Sequence, residues 1–260
     1  MKSRERRGRR VIPFPRSRRV IVDVGRVSAR RPTVRGIIEA DITLVEDALS
    51  KHGYSLTGYV IATLGRAIAA EPEIQAIRDW RGRLVVFESV DVAVSIEVTL
   101  EGRSFPLTHV IRGAEQASVE AITAQLEAVK AKPESGPTLQ HQNAARAYLS
   151  LPGFVRRGAL RLLYRMPDRH KTILGTAGVS SVGMFGAGGG WGFAFPVHPV
   201  NLLVGGISER LDIVDGAPVT RRLLALTFSF DHDVVDGAPA ARFVSDFRQT
   251  IESGAALRAH

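Results

Sequence analysis

Cysteine is absent from the 260 residues. That excludes disulfides, thiolate metal sites and a cysteine nucleophile, and it fits a reducing compartment. Long apolar runs are absent as well: none approaches the ~18–20 residues that span a bilayer. The VIPFP piece at 11–15, behind a basic start, is too short and too proline-rich for a secretion signal. The cytoplasm is therefore the expected compartment, with no transmembrane segment. Acidic residues are scarce at one end only. Residues 1–35 hold thirteen Lys or Arg against Glu5 and Asp23, a formal +11, so the other 225 residues sum to −2 within the total of +9. The basicity thus belongs to an N-terminal arm, whose ordinary meaning is a solvated leader. Such an arm can touch phosphates in a salt-sensitive way. No recognition-helix or RNA-binding signature accompanies it, so nucleic-acid binding is not expected. What remains is ordinary for a globular chain, 45% hydrophobic and 23% charged, and long enough to bury a full core.

Helical and strand patterns alternate after residue 16. LVEDALSKHG (44–53) reads as a helix stopped at Gly53, a left-handed cap, and SLTGYVIATLGRAIAAEP (55–72) as a second helix closed by Pro72. RLVVF (83–87), VDVAVSIEV (90–98) and FPLTHVIR (105–112) read as strands, SVEAITAQLEAVKA (118–131) as a helix opened by Ser118, and KPESGPTLQHQ (132–142) as a loop. In 153–171, Arg157, Arg161 and Arg165 recur every fourth residue, with Val155, Ala159, Leu162 and Met166 opposite. This predicts a surface helix with its apolar side on the core; a basic helix meeting an anionic carrier or membrane is the sharper alternative. RRLLALTFSF (221–230) is a strand with Leu224, Leu226, Phe228 and Phe230 on one face, and the helix after Pro239 buries Phe243, Val244, Phe247 and Ile251.

Between that strand and that helix stands DHDVVDG (231–237). VDGAP occurs at 214–218 and again at 235–239, and in both places Asp-Gly suits a tight turn. The residue four before the aspartate is Leu211 in the first copy and His232 in the second. A turn does not require a histidine flanked by Asp231 and Asp233. An imidazole is the natural general base for a thiol or alcohol near neutral pH, and neighbouring carboxylates would sustain its basicity.

AEPEIQA (70–76), VDVAVSI (90–96), PLTHVIRGA (106–114), GTAGVSSVGMFG (175–186) and FSFDHDVVDGAPAARF (228–243) occur in this order. With them the chain from about Arg18 to Glu252 resembles the catalytic domain of the dihydrolipoyl acyltransferases of 2-oxo acid dehydrogenase complexes. These are relatives of the chloramphenicol acetyltransferases. The resemblance implies an α/β fold, a mixed-sheet sandwich with flanking helices, and a homotrimer with active sites between subunits. It implies coenzyme A as a substrate, no metal, and His232 as the base that deprotonates the attacking group. Ser180 would donate to the tetrahedral oxyanion, with Ser181 in its place if the register is shifted by one. Asp236 would brace the loop, and Gly237 would allow the turn after it.

The sequence also departs from that pattern. Asp233 stands where the family usually has arginine. The glycine run AGGGWG (187–192), with Trp191, replaces a stretch that usually bears proline and asparagine. Residues 1–16 are expected to be a basic flexible tail and 17–260 the catalytic domain. No lipoyl or subunit-binding domain is read before it, so a lipoyl or other acyl carrier would be a separate molecule. GAALRAH lacks the aliphatic ending by which family trimers join, so a trimer rather than a larger core is expected. The activity expected is acyl transfer between coenzyme A and a thiol such as dihydrolipoyl. The alternatives are coenzyme A-dependent acylation of a small alcohol or amine, and a non-catalytic trimeric scaffold.

Overall fold

The computed structural model describes residues 5–6, 9–10, 12–15, 18–100, 103–131, 147–182 and 188–258. Two short strands, β1 (Glu5–Arg6) and β2 (Arg9–Arg10), pair with each other before α1 (Arg18–Ser28), β3 (Thr33–Asp41), α2 (Thr43–His52) and α3 (Leu56–Ala70). A 3-10 turn at Pro72–Gln75 leads into a small ladder of β4 (Ile77–Arg78) and β5 (Leu84–Val85). Then come β6 (Val92–Leu100), β7 (Arg103–Ile111), α4 (Val119–Ala131), α5 (Gly153–Leu163), α6 (Pro167–Leu174) and β8 (Ala177–Ser181). The chain closes with β9 (Val200–Val214), β10 (Ala217–Asp231), α7 (Gly237–Glu252) and α8 (Ala255–Arg258).

Six strands form one mixed sheet in the order β3-β10-β9-β8-β6-β7. β8 runs parallel to both neighbours, and the other pairs are antiparallel. The mixed α/β class read from the sequence is therefore correct. Large apolar side chains alternate onto one face: Val92 and Val94, Val179, Leu202 and Val204, then Leu224, Leu226, Phe228 and Phe230, all buried. Helices α3 and α7 cover this face and make the core; Phe228 and Phe230 stack on each other and meet Phe243 and Phe247 edge-on. The opposite face carries small and polar residues, among them Ala93, Gly178, Asn201, Thr227 and Ser229. A strap over 188–198 and helix α1 lie across it. Backbone contact there demands glycine: a Cβ at Gly205 or Gly206 would collide with the carbonyls of Gly190 or Gly188.

Local signals were obeyed at several ends. Gly53 adopts φ 68 as the cap of α2, Ser55 Oγ accepts the Gly58 N–H at the start of α3, and Ser118 Oγ accepts the Ala121 N–H before α4. RLVVF contributes only Leu84–Val85, because these residues pair with a two-residue partner rather than with the main sheet. The loop expected over 132–142 lies outside the described residues, as does half of the expected tail at 1–16.

The helix expected over 153–171 is two helices, broken between Leu163 and Pro167. Its apolar stripe is also not the covered face. Arg156 is buried and its Nε donates to the buried Asp23 of α1 at 2.6 Å, while Phe154, Val155 and Leu162 face outward. Charge pairing across α1 and α5 thus overrode the apolar stripe. Finally, the arginines of residues 18–35 are not a free leader. They belong to α1, β3 and the link between them, and Arg31 is built into the site described next.

Candidate active site

His232 leaves the sheet at the end of β10, in a turn closed by the Val234 and Val235 N–H groups donating to the Asp231 carbonyl at 3.0 Å. Neighbouring segments pin the turn on both sides. The Asp231 N–H donates to Pro199 O at 2.9 Å and the His232 N–H to Pro32 O at 3.0 Å. The flanking carboxylates do not serve the imidazole as expected. Asp231 is buried and ion-paired with Arg31, and it also accepts the Asp233 N–H at 3.1 Å; Asp233 pairs with Arg78 at 3.3 Å. The carboxylate that faces the ring is Asp236, with Oδ1 3.7 Å from His232 Nδ1. That gap is too long for a hydrogen bond, and the His232 side chain is 45% exposed.

The two VDGAP copies fold differently. In the first, Asp215 and Gly216 have φ 51 and 78 and form the two-residue loop joining β9 to β10, the left-handed pair that hairpins favour. In the second, Asp236 is extended (φ −82, ψ 169) at the N-cap of α7, and Gly237 starts the helix with room for a Cβ. The turn assigned to this second Asp-Gly is therefore not there, and Gly237 is not required for it.

Ser180 lies on β8 opposite Ser95 of β6 and Leu203 of β9, and it faces the small-residue side of the sheet. Ser181 points the other way, into a separate cavity with Ser55 and Leu126. Ser180 and His232 do not meet within one chain. Leu203 is opposite Thr227, five residues before His232, and β9 separates β8 from β10. At ~3.3 Å per residue along strands and ~4.8 Å between them, the two side chains are roughly 15–20 Å apart. Ser180 instead lines a 350 Å³ cavity roofed by Phe195 of the strap and walled by Val20 and Val24 of α1.

Two buried histidines escaped the sequence reading. His198, in the strap, lies so flat on β8 that a Cβ at Gly178 would collide with its ring. Its Nε2 is 3.0 Å from Leu174 O and its Nδ1 3.2 Å from Asn201 Oδ1. His170 of α6 is fully buried, edge-on to His198, with no hydrogen-bond partner on either ring nitrogen. Burial drives the His170 pKa down to about 3, reinforced by His198 and Arg31, and burial takes that of His198 down to about 4. Arg31 joins this cluster to the His232 turn: it pairs with Asp231, donates to Val197 O at 3.3 Å and lies over the Tyr164 ring. Isolated in sequence, none of these residues carries a motif that would have marked it.

The family model for the 2-oxoacid dehydrogenases acyltransferase (catalytic domain) matches residues 170–258, the stretch from the buried histidines through β8, the His232 turn and α7. The match covers 89 of the 260 residues and makes this segment similar to that catalytic domain. A search of curated proteins finds no match. Among solved structures, the fold is similar to a probable dihydrolipoamide acetyltransferase from Listeria monocytogenes 4b F2365, at 21% identity over 95% of both chains with a TM-score of 0.67. It is equally similar to the Azotobacter vinelandii dihydrolipoamide acetyltransferase, at 20% identity, 95% of this chain and 93% of that one, TM-score 0.67. A chloramphenicol acetyltransferase matches at 14% identity over 93% and 95% of the two chains with a TM-score of 0.50. The resemblance read from the sequence and the fold class it implied are both correct. No helix among the described residues is long and apolar enough to cross a membrane.

Proposed function

We propose that this acyltransferase moves an acyl group between coenzyme A and a thiol such as dihydrolipoyl on a separate carrier. His232 Nε2 takes the proton of the attacking thiol. The thiolate adds to the thioester carbonyl carbon, and the Ser180 hydroxyl donates to the oxyanion that forms. Collapse of the tetrahedral species expels the second thiolate, which takes the proton back from His232, so nothing is oxidised or reduced. Asp236 is given no proton to transfer; it stands on the Nδ1 side of the ring as a bracing residue of the turn. The observation that carries this reading is the His232 turn: both neighbouring carboxylates are engaged by arginines, and the ring is left half exposed with one nitrogen free.

Separation of Ser180 from His232 supports a site completed by a second copy in a closed cyclic assembly, and the family resemblance makes a homotrimer the assembly proposed. The Azotobacter structure was solved to investigate a serine, a histidine and an asparagine in that enzyme's catalytic mechanism. Their separations along the chain equal those of Ser180, His232 and Asp236, which supports reading Ser180 rather than Ser181 as the oxyanion donor and Asp236 as the counterpart of the asparagine. No metal enters this mechanism, and the compartment expected is the cytoplasm. An acyl-coenzyme A turnover screen against dihydrolipoamide, simple thiols, alcohols and amines tests the reading. Turnover with dihydrolipoamide that His232→Ala abolishes supports it. Turnover with alcohols or amines alone moves the acceptor class, and no turnover with any pair leaves only the scaffold.

A further inference from the structure

The 350 Å³ cavity below Ser180 is larger than an acetyl group needs, and its chemistry is selective. Its floor is the small-residue face of the sheet at Ala93, Ser95 and Gly178. Its walls are apolar: Val20 and Val24 from α1, Leu174 from the end of α6, and Phe195 from the strap. No Lys, Arg, Asp or Glu lines it among the described residues. The one titratable group in the lining is His198, which burial keeps neutral. Polar atoms gather at the sheet end, where the Ser180 hydroxyl lies without a hydrogen-bond partner among the described residues.

We infer that this cavity is the acyl pocket, and that it takes an uncharged branched or medium-length aliphatic acyl chain in preference to acetyl or to a dicarboxylic acyl group. The inference rests on Ser180 as the oxyanion donor. A thioester carbonyl held at that hydroxyl sends its acyl chain down between α1 and Phe195. The wall is fixed rather than plastic. Asp23, 1% exposed on a neighbouring face of α1, is held by Arg156 at 2.6 Å and Arg157 at 3.3 Å, and Arg156 is itself anchored on Leu151 O at 2.7 Å. The buried arginine of α5 therefore acts as a positioning residue for the pocket. A carboxylate at the far end of the acyl group would lose its hydration and meet no cation among the described lining residues of this chain, which is strongly unfavourable.

The test compares kcat/KM for acetyl-, isobutyryl-, hexanoyl- and succinyl-coenzyme A with the full chain and with Val24→Phe, whose larger side chain fills the cavity. One added methylene in an apolar pocket is worth roughly 10–200-fold in discrimination. The full chain should favour isobutyryl or hexanoyl over acetyl by about tenfold or more, with succinyl the poorest donor. Val24→Phe should cut the hexanoyl-to-acetyl ratio by about tenfold or more, with an unchanged thermal melt. A preference for acetyl or succinyl, or a Val24→Phe effect equal on all four donors, overturns the inference while leaving the catalytic reading standing. Turnover of none of the four overturns both.

Discussion

The proposed mechanism assigns the chemistry to a single hydroxyl and a single ring nitrogen, so each can be removed separately. His232→Ala is expected to abolish acyl transfer without loss of fold, because the side chain is half exposed and bonds to the core only through its backbone N–H. A steady-state assay beside a circular dichroism melt checks this. Ser180→Ala should lower kcat roughly ten- to a thousandfold with little change in KM, as loss of an oxyanion donor does. Ser181→Ala should be milder, since that side chain opens onto the other face of the sheet. A reversed order in the same assay would shift the register by one. His232 and Ser180 could be proposed from the sequence because the motif and the GVSSVG stretch are local in it. Arg31, His170 and His198 could not. Arg31 is one of thirteen basic residues at the N-terminus, and only the closure of β3 on β10 brings it to Asp231.

Strands and helices were read correctly where burial is one-sided and failed where it is not. β10 announces itself by alternation, and α7 by its buried Phe243 and Phe247. α5 misled because its apolar stripe faces outward while Arg156 turns in toward Asp23. A periodicity reports which side chains share a face, not which face is covered. The repeated VDGAP makes the same point: one copy is a hairpin loop and the other caps a helix, and only the flanking elements decide. Arg156→Ala should destabilise the fold by about 3–5 kcal/mol, because it leaves Asp23 buried without its main partner. Arg161→Ala, on the exposed side of α5, should stay within about 0.5 kcal/mol. Urea denaturation of the two variants decides whether the buried pair or the basic stripe matters.

For the molecule as a whole, the buried histidine pair makes acid the weak side of its stability. Both have folded pKa values below the ordinary 6.5, at about 3 for His170 and about 4 for His198. As pH falls through 6.5 the unfolded chain takes up protons that the folded chain refuses. Stability is therefore unaffected by these groups above about pH 7, and falls from about 6.5 toward 4 by up to about 1.4 kcal/mol per pH unit for each histidine. A thermal melt series from pH 8 to 4.5 should show that decline, and His170→Phe should flatten it. The same sheet that buries these rings also keeps Ser180 far from the His232 of its own chain, so on the proposed mechanism the assembly is the catalytic unit. Mixing tests this most directly. His232→Ala and Ser180→Ala chains, each impaired alone, are unfolded together in equal amounts and refolded. With sites shared between neighbours of a trimer, about a quarter of the wild-type activity should return, because about that fraction of sites pairs an intact His232 with an intact Ser180 from the next copy. Activity no greater than the mean of the two separate variants would contradict a site built from two copies.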